Sequence, residues 1–201
     1  MHFPDGHKPI VDLSHHNVIA DYNTLHGEVD GAILKATEGR YWRDPEFTKH
    51  SVGCRTAGIP LGAYHFARPN PDNPGDVHLE IGNFVNTING HDYPLGVWLD
   101  WEATAFHGRL TELSADYVDH YISAWLDRLP DMGVYASYNI IAAHHASNMT
   151  PWWVAYWGTW VPPHTMLGQP VRLWQYCSQS RLPGIDGRVD LSHQYDEPIT
   201  V

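Results

Sequence analysis

Basic charge is scarce in this 201-residue chain: twelve Lys and Arg stand against twenty-three Asp and Glu, for a formal charge of −11 with His neutral. The cations are scattered and form no run, so the electrostatic footprint of a nucleic-acid binder is missing and no nucleic-acid partner is expected. Cysteine is nearly absent. Cys54 and Cys177 make no C-x-x-C, which argues against structural zinc and thioredoxin-type redox chemistry. A single disulfide between them stays open, with two buried thiols as the favoured reading. No apolar run approaches the length of a membrane span, so membrane insertion is not expected. Met1 to Pro9 carries no apolar h-region, so no secretory signal is visible, and a target outside the membrane would need another export route.

Aromatic residues, by contrast, are plentiful: nine Trp and eleven Tyr. Such rings suit both plain cores and sugar-binding clefts, where a flat apolar face carries a polar handle at its edge. The length fits one domain, residues 1–201, able to bury roughly 70% of its unfolded surface.

The most informative stretch is Gly96-Val97-Trp98-Leu99-Asp100-Trp101-Glu102. It reads as a buried strand ending in two carboxylates. Side chains alternate on a strand, so Asp100 and Glu102 share a face while Trp101 points the other way, and two residues of rise separate their Cα atoms by roughly 6.5–7 Å. Carboxylates held that close tend to titrate apart, one protonated and one ionised. Glycoside hydrolysis needs that pair: an acid for the leaving oxygen and an anion near the developing cation. The simpler alternative is a strand end whose acids cap the next helix.

Along the chain, short apolar strands alternate with helices, which predicts βα units and a largely parallel sheet. Strands are expected at Ile10–Ser14, Gly31–Thr37, Leu61–Phe66, Val97–Trp101, Gly133–Ser137, Trp152–Tyr156, Arg172–Cys177 and Val189–Leu191. Helices are expected from Asp44-Pro45 to Ala57, from Asp76 to Ile88, from a Thr111 or Ser114 cap to Leu129, and from Ile140 to Ala146. This is an α/β chain, an irregular, flattened (β/α) TIM-like barrel with fewer helices in its C-terminal third. In such barrels chemistry sits at the C-terminal strand ends. The polar residues expected there are Asp12, Ser14, His15, His16, Lys35 to Glu38, Tyr64, His65, Asp100, Glu102, Tyr135, Tyr138, Tyr156, Trp157, Gln175 and Asp190.

Several of these motifs resemble one family. Ile10-Val11-Asp12-Leu13-Ser14, Ala32-Ile33-Leu34-Lys35-Ala36-Thr37-Glu38-Gly39, Gly62-Ala63-Tyr64-His65-Phe66 and Leu99-Asp100-Trp101-Glu102 resemble, in order, the first four strands of glycoside hydrolase family 25, the Chalaropsis-type lysozymes. Gly133-Val134-Tyr135 and Trp153-Val154-Ala155-Tyr156-Trp157 resemble the fifth and sixth. Leu173-Trp174-Gln175-Tyr176, followed by Gly184, Gly187 and Val189-Asp190, resembles the closing motif. The resemblance covers nearly the whole chain. It implies a catalytic domain that cleaves the β-1,4 bond between N-acetylmuramic acid and N-acetylglucosamine, with bacterial peptidoglycan as partner; a monomer is the expected working unit. Compact members are common among phage endolysins, where a holin provides the export route.

Carried over by position, the resemblance implies Glu102 as general acid and Asp100 as the partner that orients the substrate N-acetyl group or stabilises the cation. Asp12 and Asp190 become flanking acids, and Tyr64, Tyr138, Trp157 and Gln175 sugar contacts. His15-His16-Asn17 departs from the family pattern and leaves that loop's contacts open. A site of carboxylates and aromatics needs no cofactor or metal. His15 with His16 and His144 with His145 raise a metal alternative, but neighbours on a strand face opposite ways and neighbours on a helix diverge by about 100°. Lys35 reads as one half of an ion pair, and Trp98 and Trp101 as core. Two further functions stay open: a non-catalytic wall-glycan-binding module on the same scaffold, and a hydrolase of a chitin-type polymer.

Overall fold

The structure is a computed structural model, and it describes residues 6–102, 113–143 and 151–195. The elements in chain order are β1 (Ile10–Leu13), β2 (Val18–Ile19), α1 (Tyr22–His26), β3 (Gly31–Glu38), β4 (Trp42–Arg43), α2 (Phe47–Ala57), β5 (Leu61–Phe66), α3 (Asp76–Ile88) and β6 (Val97–Asp100). They continue with α4 (Ala115–Arg128), β7 (Gly133–Ser137), α5 (Tyr138–Ala143), β8 (Trp152–Ala155), β9 (Thr165–Met166), β10 (Gln169–Ser180), β11 (Ile185–Asp186) and β12 (Val189–Gln194). The expected Thr111 cap and the His144–Ala146 helix end lie outside the described residues.

Seven strands run parallel around a ring, β1–β3–β5–β6–β7–β8–β10. β12 closes the ring antiparallel to both β10 and β1. The sheet is thus largely parallel, as expected, with β12 as its antiparallel member. No helix separates β10 from β12, and a short connection can only return the chain antiparallel. The small pieces β2, β4, β9 and β11, and the one-turn α1, were not anticipated; runs of two to five residues carry no periodicity to read.

Each helix has a local reason. Asp44 Oδ1 accepts from Glu46 N at 2.9 Å ahead of α2, and Gly58 ends that helix at φ 79°, a left-handed conformation that costs glycine little. The Ser114 side chain accepts from Tyr117 N and caps α4. Val77, Ile81, Phe84 and Ile88 of α3, and Val118, Tyr121, Ile122 and Trp125 of α4, are buried at helical spacing.

Strand alternation divides the buried residues in two. Leu34, Leu61, Leu99 and Trp101 pack outward in the larger cluster, with Phe84 and Trp125 from the helices. Ile10, Ile33, Trp98, Tyr135, Trp153, Ala155 and Leu173 form the smaller cluster inside the ring. Trp98 fills the bore only because Gly133 faces it: a Cβ there would sit 2.3 Å from the Trp98 ring. Two residues further along, the same inward face turns polar, with Ile10 giving way to Asp12, Ile33 to Lys35, Trp98 to Asp100 and Leu173 to Gln175. An apolar plug thus supports a polar floor. No described helix is long and apolar enough to cross a membrane. Cys54 is a buried free thiol and Cys177 a half-buried one, so the expectation of two fully buried thiols holds for Cys54 alone.

Candidate active site

Above the plug lies a cavity of about 430 Å³ at the C-terminal strand ends. Asp12, Tyr64, Asp100, Glu102, Gln175 and Asp190 all line it, together with Lys35 and Tyr135. A larger cavity of about 610 Å³ opens at the opposite, N-terminal mouth of the barrel and contains none of these residues.

The backbone around Asp100 is pinned from both neighbouring strands. Ala67 N donates to Asp100 O at 3.1 Å, and Trp101 N donates to Tyr135 O at 2.8 Å. Trp101 is buried in the outer cluster against Tyr121. With Trp101 anchored outward, Asp100 and Glu102 are directed into the cavity. Across the barrel, the β1–β12 register sets Asp12 directly opposite Asp190. The two acid pairs therefore face each other across one space.

Such crowding changes their titration. Burial, then repulsion from Asp190, raises Asp12 to about 8, against a hydrogen bond from Gln175 that lowers it. Burial and the Glu102 charge raise Asp190 to about 6. Asp100 lies well above the usual carboxylate range, pushed first by burial and next by Glu102, with Lys35 pulling the other way. Near neutral pH the cavity thus retains protons that exposed carboxylates would have lost. Asp100 Oδ1 is buried and has no hydrogen-bond partner among the described residues. Burial and the surrounding carboxylates also raise Tyr64 and Tyr135, which keeps both phenols neutral as donors.

Gln175 organises the floor. Its Oε1 accepts from Tyr135 OH and from Trp157 Nε1, both at 3.0 Å, and its Nε2 donates to Asp12 Oδ2 at 3.0 Å. Lys35 Nζ pairs with Glu38 Oε2 at 2.7 Å and lies over the Phe66 ring, so it is both an ion-pair partner and a wall of the cavity.

Not every expected rim residue reaches the cavity. Tyr138 and Trp157 line a separate, mostly apolar hollow of about 220 Å³ with Tyr156. Trp157 is 61% exposed and is linked to the acid site through Gln175. His65 does not belong to the rim at all. It faces outward, fully buried between Thr37 Oγ1 at 2.7 Å and Glu80 Oε2 at 2.9 Å, because its neighbours Tyr64 and Phe66 take the inner face. His15 and His16 do not diverge as strand neighbours would. They sit in a turn after β1 with ring centroids 3.9 Å apart, His15 bonded to Asp44 and His16 lining the cavity. His144 and His145 lie outside the described residues. Asn17, Phe66, Trp153, Ser178, Gln179 and Arg188 also line the cavity. The sequence left the contacts of the Asn17 loop open and passed over the others; for Trp153 and Phe66 the strand pattern carried the signal, since each lies at the inner or terminal position of a barrel strand.

A closed barrel with carboxylates converging at its C-terminal rim has the architecture of a glycoside-cleaving enzyme. The chain belongs to glycosyl hydrolases family 25, which it matches over residues 11–185. It is 26% identical to Lysozyme M1 of Streptomyces globisporus over 90% of this chain and 65% of that protein. It is 27% identical to the autolytic lysozyme of Clostridium acetobutylicum over 90% of this chain and 53% of that protein. The chain thus spans about half to two thirds of the length of these curated relatives. Among solved structures, the bacterial lysozyme from Streptomyces coelicolor superposes with a TM-score of 0.80 at 24% identity, covering 94% of this chain and 93% of that one. The CTP1L endolysin gives 0.72 at 26% identity, covering 94% and 67%.

Proposed function

We propose that this protein is a muramidase, hydrolysing the β-1,4 bond between N-acetylmuramic acid and N-acetylglucosamine in bacterial peptidoglycan, and that it acts on the wall as a monomer. The observation that carries the reading is the convergence of Asp12, Asp100, Glu102 and Asp190 on one cavity, with Asp100 Oδ1 buried and unpartnered among the described residues. Family membership and the likeness to lysozymes support it.

In this reading Glu102 is the general acid and delivers a proton to the leaving glycosidic oxygen. Asp100 accepts the N–H of the substrate acetamide and holds the carbonyl oxygen for attack on the anomeric carbon, so no enzyme nucleophile is needed. Both roles draw on one proton. Burial and the Glu102 charge raise Asp100 well above the usual carboxylate range, so the empty pair holds a proton. When an acetamide N–H occupies Asp100, its anion is favoured and the shared proton passes to Glu102. Asp190, when ionised, adds negative potential toward the developing cation, while Asp12 keeps its proton, and Gln175, Tyr64 and Tyr135 position the sugar or the acids.

The test is a turbidity assay on bacterial walls, followed by analysis of the reducing ends released. Muramic acid ends support the proposal. Glucosamine ends, or binding without cleavage, would overturn it in favour of a different hydrolase or a binding module. The proton NMR signal of the first anomer formed reports the stereochemical course, and retention is the outcome that assistance requires.

A further inference from the structure

Beside the acid cavity, three rings lead away from it in contact with one another. His16 lines the cavity, its ring lies 3.9 Å from His15, and His15 meets the Trp42 ring edge-on at 5.1 Å. We propose that His16, His15 and Trp42 form a rail that holds the glycan strand at a subsite distal to the cleaved bond. The inference rests on the muramidase reading and adds to it a specificity element built by the β3–β4 hairpin.

The rail is rigid. Asp44 Oδ2 accepts from His15 N at 3.0 Å and meets His15 Nδ1 at 2.7 Å. The hairpin register Glu38↔Trp42 and Thr37↔Arg43 fixes Trp42 at the C-terminal rim. Lys35 Nζ lies 5.0 Å from the Trp42 ring centroid while paired to Glu38, so one side of the indole is backed by a cation. Trp42 nevertheless keeps 38% of its surface exposed. A preordered aromatic with a polar edge suits the apolar C–H face of a pyranose, and little ordering entropy is lost on contact.

The position matters more than the exposure. In the ring order β1–β3–β5–β6–β7–β8–β10–β12, the β3–β4 hairpin stands almost opposite β7 and β8. There a second aromatic group lies, the half-buried Tyr138 and Tyr156 and the exposed Trp160 mutually 4.8–6.0 Å apart with the exposed Trp157 beside them. A line between the two groups passes between Asp100 and Glu102 on the β6 side and Asp12 and Asp190 on the β1–β12 side. A strand laid along that line presents an internal bond to the acids and rests on rings at both ends. The ligand class is therefore a β-1,4-linked N-acetylated polymer gripped on both sides of the cut, rather than a terminal disaccharide.

The experiment compares the parent protein with Trp42→Ala, Trp42→Leu and Trp42→Phe on two substrates: purified polymeric peptidoglycan and a soluble tetrasaccharide of alternating N-acetylglucosamine and N-acetylmuramic acid. An aromatic contact of this kind corresponds to roughly 3–10-fold in affinity. Trp42→Ala and Trp42→Leu should raise KM for the polymer by about that factor, with a smaller change in kcat and a smaller change in KM for the tetrasaccharide. Trp42→Phe should restore most of the loss. Leucine keeps apolar bulk without a ring, so the Leu and Phe pair decides the matter even if the Ala variant misfolds. A Leu variant with parental KM on the polymer overturns the rail, as does a loss confined to kcat. A parent protein that cleaves neither substrate overturns the muramidase reading instead.

Discussion

Gln175 and Asp12, 163 residues apart in the chain, meet on the floor of the barrel, where Gln175 Nε2 donates to Asp12 Oδ2 at 3.0 Å. The amide cannot turn around. Its oxygen already accepts from Tyr135 OH and from Trp157 Nε1, and an indole nitrogen only donates. Gln175→Glu keeps the shape but sets an oxygen against Asp12. A buried polar group left without its partner costs about 1–3 kcal/mol. Denaturant unfolding at pH 9, where Asp12 is ionised, should show a loss of that size, while Gln175→Met, which leaves the Tyr135 hydroxyl and the Trp157 indole without their acceptor, should also lower activity. An unchanged midpoint for Gln175→Glu would mean that the Asp12 contact does not hold in solution.

Glu102→Gln keeps the volume of the side chain and removes the proton it would deliver. General acid catalysis contributes about 10²–10⁴-fold. Wall clearing should drop by at least that factor, with circular dichroism and wall pelleting unchanged. Lysis near the parental rate would remove Glu102 from the mechanism.

The other carboxylates should rank below it in a defined order. Asp100→Asn removes the acceptor for the acetamide N–H, an electrostatic contribution of ~3 kcal/mol or more, so its loss should approach that of Glu102→Gln. Asp12→Asn and Asp190→Asn should cost less, because these acids act through the potential and the proton affinity of the pair. Single-turnover rates on purified peptidoglycan give the ranking. If Asp12→Asn proved the most damaging of the four, the roles assigned here would be reversed.

Asp12 and Asp190 should make a contribution to stability that falls with rising pH. Asp12 titrates near 8 in the folded protein and Asp190 near 6, against about 4 for an unfolded Asp. A native state that holds protons the unfolded chain has released loses stability as pH rises. The contribution is complete below pH ~4, declines from there, and is gone above pH 6 for Asp190 and above pH 8 for Asp12. From pH 5 to pH 8 the melting temperature of the parent should therefore fall relative to that of Asp12→Asn. An identical pH slope in the two proteins would contradict the proton-retaining Asp12.

How much of this could be read in the sequence depends on the pattern each residue belongs to. Asp100 and Glu102 were legible because a period of two on a short apolar strand fixes which side chains share a face, and Trp101 was placed outward by the same rule. Leu61–Phe66 and Asp76–Ile88 were legible to the residue, bounded by Gly-Pro turn chemistry and a helical apolar stripe. His65 was misplaced because membership of a strand end was counted without its parity. The antiparallel course of β12 was hidden, since Val189–Leu191 looks alike in either direction and only the short connection from β10 sets its sense. The separation of Tyr138 and Trp157 from the acid cavity was also hidden. It arises where the chain leaves β7 and β8, beyond the reach of strand alternation.

Activity should follow a bell-shaped pH profile with its optimum on the acid side, at about pH 5–6. On the alkaline limb the Asp100–Glu102 pair loses its shared proton and no acid remains for the leaving group. On the acid limb both carboxyls are protonated and no anion faces the acetamide. Net charge acts in the same direction. The chain carries −11 with His neutral, and bacterial walls are generally anionic, so long-range repulsion opposes encounter at neutral pH. Acidification charges exposed histidines and reduces that repulsion, while burial holds His50 and His65 back. Added salt should therefore raise the rate at pH 7, where screening over about 8–10 Å weakens repulsion between exposed charges, and should do less at pH 5. Wall lysis measured across pH at low and moderate salt separates the two causes: the proton requirement sets the shape at both salts, and repulsion sets the difference between them. Inhibition by salt at pH 7, or an alkaline optimum, would show that the cations near the cleft, Lys35, Arg68 and Arg188, govern wall binding rather than the charge of the whole chain.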